Sequence, residues 1–427
     1  MPTIVLKFGG TSLSSLRRVH AAAARVARSV SAGDRVAVVV SAMGSTTDRL
    51  LGLARQAHPD PPGRELDALL ATGELLSASL LSMALARLGL DATSLNAIQA
   101  GIESDAMPGQ ARIERIDAAA ILRHLDAGRI PVIAGFQGVD AFGDLTTLGR
   151  GGSDTTAVAV AAAIGAAGAA GWCEILTDVP GVCTADPRLL REAIRIPSIS
   201  AETMLELARR GAKVMHPPAV AIAAEAGVRI RVAAAHRGGD GTWILQEPAP
   251  QSPIASPIAV AIRSHLTELR VRVPIGQCNA VIRGDLSRAC PSLIELGTGT
   301  AAGESAASGG DRRVLVAASE EPAARAALRE CLAAEGGEIE VRGHCSLVSQ
   351  VCDQPAESSP AESLGERALD GCEILASGGA GTRSPWVLVP SSQAILAAKA
   401  LHRPIRERWL RQRRQSRIRR VAIAADG

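Results

Sequence analysis

TIVLKFGGTSLSSLRRVHAAAARVARSVSAGDRVAVVV, residues 3–40, reads as strand, glycine turn, helix and strand in one run. Thr3–Phe8 and Arg35–Val40 are short stretches rich in Val and Ile, while Leu13–Val30 between them carries a helical pattern. The same alternation continues outward. Ile130–Ala134, Cys173–Leu176 and Val228–Val232 read as further strands. Arg49–Gln56, Glu65–Arg87, Ala118–Asp126, Ser153–Ile164 and Ala201–Arg210 read as helices. Strands alternating with helices predict an α/β sandwich around a mainly parallel sheet, with ligands at the carboxyl ends of the strands. That pattern holds to about residue 235.

Past residue 250 the texture changes. QEPAPQSPIASP is a Pro/Ser linker, followed by shorter units. Strands are expected at Ile258–Arg263, Glu268–Val273, Arg313–Ala317, Ile339–Arg342, Leu347–Cys352, Glu373–Ala376 and Trp386–Pro390. Helices are expected at Glu321–Ala334, Pro360–Leu369 and Ser391–Ala400, with Gly297–Gly310 and Ser377–Ser384 as loops. A pair of small α+β modules is the expected outcome. Arg403–Arg420, with its run of arginines, reads as a solvated, partly helical tail that an acidic partner or an oligomer neighbour would contact.

Composition narrows the function. The 427 residues are 47% hydrophobic, enough for two or three domains with sizeable cores. A net charge of +3, four Trp, three Phe and no Tyr argue against nucleic-acid binding, because bases need aromatic platforms. Eight scattered cysteines without a C-x-x-C pair suit a reducing compartment. Histidines at metal-ligand spacing are also lacking, so no protein-held metal is expected. Segment 155–170 is apolar but Gly-interrupted, which favours a buried helix over a membrane span. No basic-then-apolar leader precedes the first motif, so a cytoplasmic location is expected.

Only three lysines occur against 43 arginines. Lys is a compact point charge and Arg a broad fork, so a chain this rich in Arg should keep Lys where the fork does not fit. Lys7 lies in KFGGTS at a strand end, where glycines let backbone N–H groups approach an anion. Lys213 lies in GAKVMHP. Ser41–Thr47 (SAMGSTT) follows another strand and either positions a polar substrate or caps the next helix. Glu74, beside Gly73, either meets a substrate ammonium or is an exposed helix carboxylate. Thr147–Thr156 (TLGRGGSDTT) is the strongest motif. Its glycines and Arg150 open an alanine-rich helix at Ser153–Asp154, an anion site in which Arg150 grips a carboxylate and Asp154 organises the lysines or holds Mg²⁺. Thr177–Arg188 (TDVPGVCTADPR) suits a nucleotide, with Asp178 for hydroxyls and Arg188 for phosphate. His216, flanked by proline, reads as a structural hydrogen-bonding residue.

In this order, KFGGTS, SAMGSTTD, TGE, IAGFQGVD, TLGRGGSDTTAVA, TDVPGVCTADPR and GAKVMHP resemble the aspartate kinases of the amino-acid kinase superfamily. The resemblance implies a three-layer α/β sandwich over residues 1–245, a linker at 246–256, two divergent ACT-like modules at 257–402 and an Arg-rich tail at 403–427. It implies ATP-dependent phosphorylation of the side-chain carboxylate of L-aspartate to 4-phospho-L-aspartate, with Mg²⁺ on the nucleotide phosphates. By motif position Lys7, Asp154 and Lys213 are catalytic. Ser41, Thr47, Glu74, Phe136, Arg150 and Ser153 form the aspartate pocket. Lys7, Gly9, Gly10, Thr11, Thr177, Asp178, Cys183, Asp186, Arg188 and Lys213 hold the nucleotide. A homodimer or higher homo-oligomer through the C-terminal modules is implied.

Departures from the family pattern are specific. Leu176 and Cys183 stand where family members usually carry Tyr, and Ile102–Pro108 replaces a more polar loop. Val273–Cys278 lacks the D-x-P-G turn of an effector site, and the second module lacks its Gly-x-Gly-Met segment after Val351. Weakened or altered feedback regulation, as in a specialised biosynthetic pathway, is the corresponding expectation. A superfamily kinase for another amino acid and a catalytically silent regulatory subunit are the rival readings.

Overall fold

The computed structural model describes residues 3–169, 171–236, 238–247, 257–272, 286, 290, 293–296, 311–332, 337–355, 369, 371–379 and 381–425. It divides into two compact units. Unit 1 comprises Met1–Val182, Arg195–Ala208 and Lys213–Gln251, and unit 2 comprises Cys183–Ile194, Arg209–Ala212 and Ser252–Gly427.

Unit 1 is built on β1 (Thr3–Phe8), which lies between β2 (Arg35–Val40) and β9 (Gly171–Thr177), parallel to both. The sheet continues through β6 (Ile130–Ala134) to β3 (Ala92–Leu95) on one side. On the other it runs through β11 (Ile230–Ala234), β12 (Thr242–Leu245) and β10 (Ser198–Ser200), with only the β11–β12 pair antiparallel. The expected mainly parallel sheet is therefore present. Register aligns Phe8 with Val40 and with Leu176, and Val40 with Ala134, so these strands end level. The loops that follow them emerge side by side.

Alternation along β1 divides the layers. Ile4, Leu6 and Phe8 join Val36, Val38 and Val40 in one apolar cluster with α1 (Leu16–Ser31) and α3 (Gly63–Ala86). Lys7 points to the opposite face, where α5 (Gly152–Ala166) packs against the sheet and against α7 (Pro217–Ala226). The Ala/Val sequence of α5 is apolar all round, as a helix covered on both sides must be. Ser15 caps α1 and Asp117 caps α4 (Ala118–Asp126), each accepting a backbone N–H of the first turn. Helices α2 (Thr46–Ala57) and α6 (Ala201–Arg209) complete the set. By length and composition α3 matches a membrane span, yet it packs against α1, α2, β3 and β6 and buries two carboxylates, Asp67 and Glu74. A second, four-stranded sheet joins β5 (Ile113–Ile116), β4 (Ile102–Ser104), β7 (Gln137–Val139) and β8 (Leu145–Thr147).

Unit 2 contains an antiparallel sheet in the order β14 (Ile294–Glu295), β15 (Asp311–Ala317), β13 (Pro257–Arg272), β16 (Glu338–Cys352), β18 (Trp386–Pro390), β17 (Ala376–Gly378). The sequence splits β13 into two strands and β16 into two more. In the structure each is one long strand, irregular at His265 and His344, whose φ values are +59° and +58°. The strand expected at Glu373–Ala376 lies later, at Ala376–Gly378. Helix α8 (Glu321–Leu332) covers Leu269, Val271, Val314 and Val316. Helix α9 (Ala394–Ala425) runs on past Ala400, because Ala398, Leu401, Ile405 and Trp409 form a buried stripe. The Arg-rich segment thus begins as packed helix. Val273–Cys278, Gly297–Gly310, most of the 246–256 linker and all of Pro360–Leu369 except Leu369 lie outside the described residues.

Candidate active site

The level strand ends of unit 1 bring five polypeptide turns to one edge. After β1, Gly9 donates its N–H to the Leu176 carbonyl at 3.3 Å, and the Gly10 carbonyl accepts from Gly44 N–H at 3.0 Å. A Cβ on Gly10 would sit 2.6 Å from the Ala42 carbonyl oxygen, so only glycine permits this crossing of the β1 and β2 loops. Next to β6, a Cβ on Gly135 would meet Ser153 Cβ at 2.9 Å, which seats the start of α5 on the same edge. Phe136 adopts φ +69° and donates its N–H to Thr156 Oγ1 at 3.1 Å. Gly151, at φ +72°, lies against the ring of His216, and this contact docks the Lys213–His216 segment at the head of α5.

Lys7 Nζ lies 2.5 Å from Asp154 Oδ1, both largely buried. The cation rises from the central strand and the carboxylate descends from the first turn of α5. Glu74, on α3, is 3% exposed and accepts the Ala42 N–H through Oε1 at 2.8 Å. Its Oε2 is buried and makes no hydrogen bond among the described residues. Desolvation pushes the Glu74 carboxyl up to about 7, against the pull of the Ala42 N–H and the Lys7 charge. A buried carboxylate with one oxygen unused has the capacity to accept a hydrogen bond from a cation. Arg150 and Lys213 are exposed and make no ion pair among the described residues. Burial lowers the pKa of His216, while Asp154 raises it.

The remaining expected residues fall into two groups. Thr11 is exposed, its carbonyl taken by Arg18; Ser41 is half-buried, and Thr47 sits in the first turn of α2. Ser153 is buried in the first turn of α5, and Thr177 donates to Asp178 Oδ1 at 3.1 Å at the end of β9. All of these belong to unit 1. Cys183, Asp186 and Arg188 belong to unit 2, where Cys183 is buried and Arg188 pairs with Asp186 at 2.8 Å. Two site-edge residues were not foreseen. Thr156, one turn into α5, orients Phe136, and Asp67, two helical turns before Glu74, accepts hydrogen bonds from two loops. The seven-residue spacing of two acids on one helix was the available signal. A separate cavity of about 410 Å³ opens on the α1 face, but its buried Glu174 is already paired with Arg25 at 2.5 Å and Arg231 at 3.1 Å.

One edge of a mainly parallel sheet thus carries a Lys–Asp pair, a glycine turn and a buried carboxylate with an unused oxygen. The family model of the amino acid kinase family matches residues 2–234, and the chain belongs to that family. An aspartokinase of Geobacillus stearothermophilus is 50% identical over 247 residues, 58% of this chain and 60% of that protein. The chain thus spans about three fifths of the length of the curated relatives it matches. The crystal structure of an aspartate kinase from Synechocystis is 32% identical, with TM-score 0.53, over 94% of this chain and 69% of that one. Aspartokinase III of E. coli, solved with aspartate and ADP, shares the fold at TM-score 0.78 and 24% identity, over 94% and 99% of the two chains.

Proposed function

We propose that this chain is an aspartate kinase, transferring the γ-phosphoryl group of ATP to the side-chain carboxylate of L-aspartate. The observation that carries the reading is Glu74, a buried carboxylate with a spare oxygen on the same edge as the Lys7–Asp154 pair. Glu74 takes the substrate ammonium. Arg150, exposed and without an ion pair among the described residues, takes the α-carboxylate in a bidentate fork. Ser41, Thr47, Phe136 and Ser153 close the pocket, which leaves the side-chain carboxylate facing the nucleotide.

That carboxylate is ionised at neutral pH, so no general base is needed and the barrier is one of alignment and charge. Lys7 and Lys213 offset the negative charge on the transferring group, and Asp154 holds the Lys7 ammonium in place. The Gly9–Gly10 turn and Thr11, with Thr177 and Asp178, serve the nucleotide, the glycines letting its phosphates approach the backbone. Asp154 is already engaged with Lys7 and Asp178 is exposed, a donor set that suits Mg²⁺ held mainly by phosphate oxygens and water. When bound with the nucleotide, that ion supplies further charge neutralisation.

The test is a hydroxylamine trap with a panel of amino acids. Purified protein with ATP should give aspartyl hydroxamate, Lys7→Ala should give none, and equal or greater turnover of glutamate would overturn the assignment. In the same reading, the departures at Val273–Cys278 and after Val351 weaken feedback control, and strong inhibition by millimolar lysine plus threonine would contradict that part.

A further inference from the structure

We infer that Asp67 is a positioning residue for the amino-acid pocket, acting through the Arg150 loop; the inference rests on the pocket proposed above. Asp67 is 1% exposed, yet among the described residues no cation pairs with it. Instead its two oxygens gather donors from two loops. Gly109 N–H lies 3.1 Å from Oδ1 and 2.9 Å from Oδ2. Thr147 donates its N–H to Oδ2 at 2.8 Å and its hydroxyl to Oδ1 at 2.7 Å. Thr147 ends β8, three residues before Arg150, and its own carbonyl accepts the Ala111 N–H at 3.0 Å.

The two loops are in close contact. A Cβ on Gly149 would lie 3.0 Å from the Gly109 carbonyl oxygen, and one on Gly63, at the start of α3, would lie 2.7 Å from Pro108. Asp67 is the bracket that clamps both to the helix. It stands seven residues before Glu74, on the same face of α3 two turns away. One rigid helix therefore fixes the β2 end through Glu74 and the base of the Arg150 loop through Asp67. Burying a carboxylate with no cation is costly, and a neutral residue would close a loop more cheaply. What the charge adds is strong, directional bonding to main-chain donors, which suits a loop that must hold one Arg at a fixed distance from the ammonium site.

Asp67→Asn keeps the volume but turns its amide N–H₂ toward two of these donors. The expected result is an increase of about tenfold in KM for L-aspartate with KM for ATP unchanged. Thr147→Val, which removes only the hydroxyl bond, should show a smaller shift of the same kind and guards against loss of folding in Asp67→Asn. The discriminating measurement is a double-mutant cycle with Arg150→Ala: if Asp67 acts through Arg150, Asp67→Asn adds little on that background. Full additivity, or an equal rise in both KM values, would overturn the inference. Hydrogen exchange over 105–111 and 145–152 gives a reading that does not depend on activity. Exchange there should be faster in Asp67→Asn, and unchanged exchange overturns the inference. Lack of wild-type turnover with aspartate would count against the proposed function alone, leaving exchange to decide the role of Asp67.

Discussion

Lys7 sits between Leu6 and Phe8, and strand alternation turns it away from their apolar cluster toward α5 and Asp154. Both partners are largely buried, and a broad planar guanidinium needs space there that the compact ammonium does not. Lys7→Arg should therefore lower kcat by on the order of a hundredfold although the charge is kept, as measured by coupled ADP release. Glu74 makes a pH prediction. Its folded-state pKa, about 7, lies above the ordinary 4.5. Between those values the folded chain holds the extra proton, so stability falls as pH rises through this window and is level above it. An ammonium ligand needs the ionised form, so kcat/KM for aspartate should climb from pH 6 to pH 8. Glu74→Gln should flatten that limb and remove the pH dependence of stability at this site. A profile unchanged by Glu74→Gln would rule out the ammonium role. The sequence offered Glu74 as either a receptor or an exposed helix residue; only the packing of α3 under the β2 loop shows it to be buried.

At the level of elements, β1, β2, β6 and α4 follow the sequence pattern to the residue, because short Val/Ile runs and a capping Asp117 mark their ends. Helix α7 was missed, no element being expected directly after His216; yet proline is at ease in the first helical turn, and Gly227 at φ +68° closes the helix. The short strands β4, β5, β7 and β8 were missed for another reason. They are three or four residues long and gain their stability from one another, not from a local pattern. In β13 and β16 the breaks expected near His265 and His344 are bends within strands, held by pairing on both sides. Gly151 gives a test at this scale. Its Cβ would lie 2.4 Å from His216 Cβ, and its φ of +72° disfavours any other residue. Gly151→Ala should cost about 2 kcal/mol, seen as a lower urea midpoint with an unchanged slope. It should also raise KM for aspartate by displacing Arg150.

For the whole molecule, the residue pattern placed one α/β layer fold up to about residue 235 and a different texture past 250. The compact units do not divide at that linker alone. Cys183–Ile194 belongs to unit 2, where the Thr184 carbonyl accepts the Val260 N–H at 2.8 Å and Thr184 Oγ1 meets His402 Nε2 at 2.8 Å. A fragment ending at Gln251 therefore strands buried groups around Thr184, and should melt at a lower temperature than the full chain in calorimetry. Equal melting of that fragment and of the matching transition in the full chain would show that the excursion contributes nothing. The sequence by itself determined the alternation of layers, the glycine turns at strand ends and the retention of Lys at two positions, because these depend on local periodicity and residue chemistry. Tertiary structure decided the rest: that Lys7 meets Asp154, that Glu74 keeps an unused oxygen, that Asp67 clamps two loops, and that Thr184 bonds with residues far along the chain. Those depend on contacts between distant segments, which fix burial and hydrogen-bond partners and leave no periodic trace.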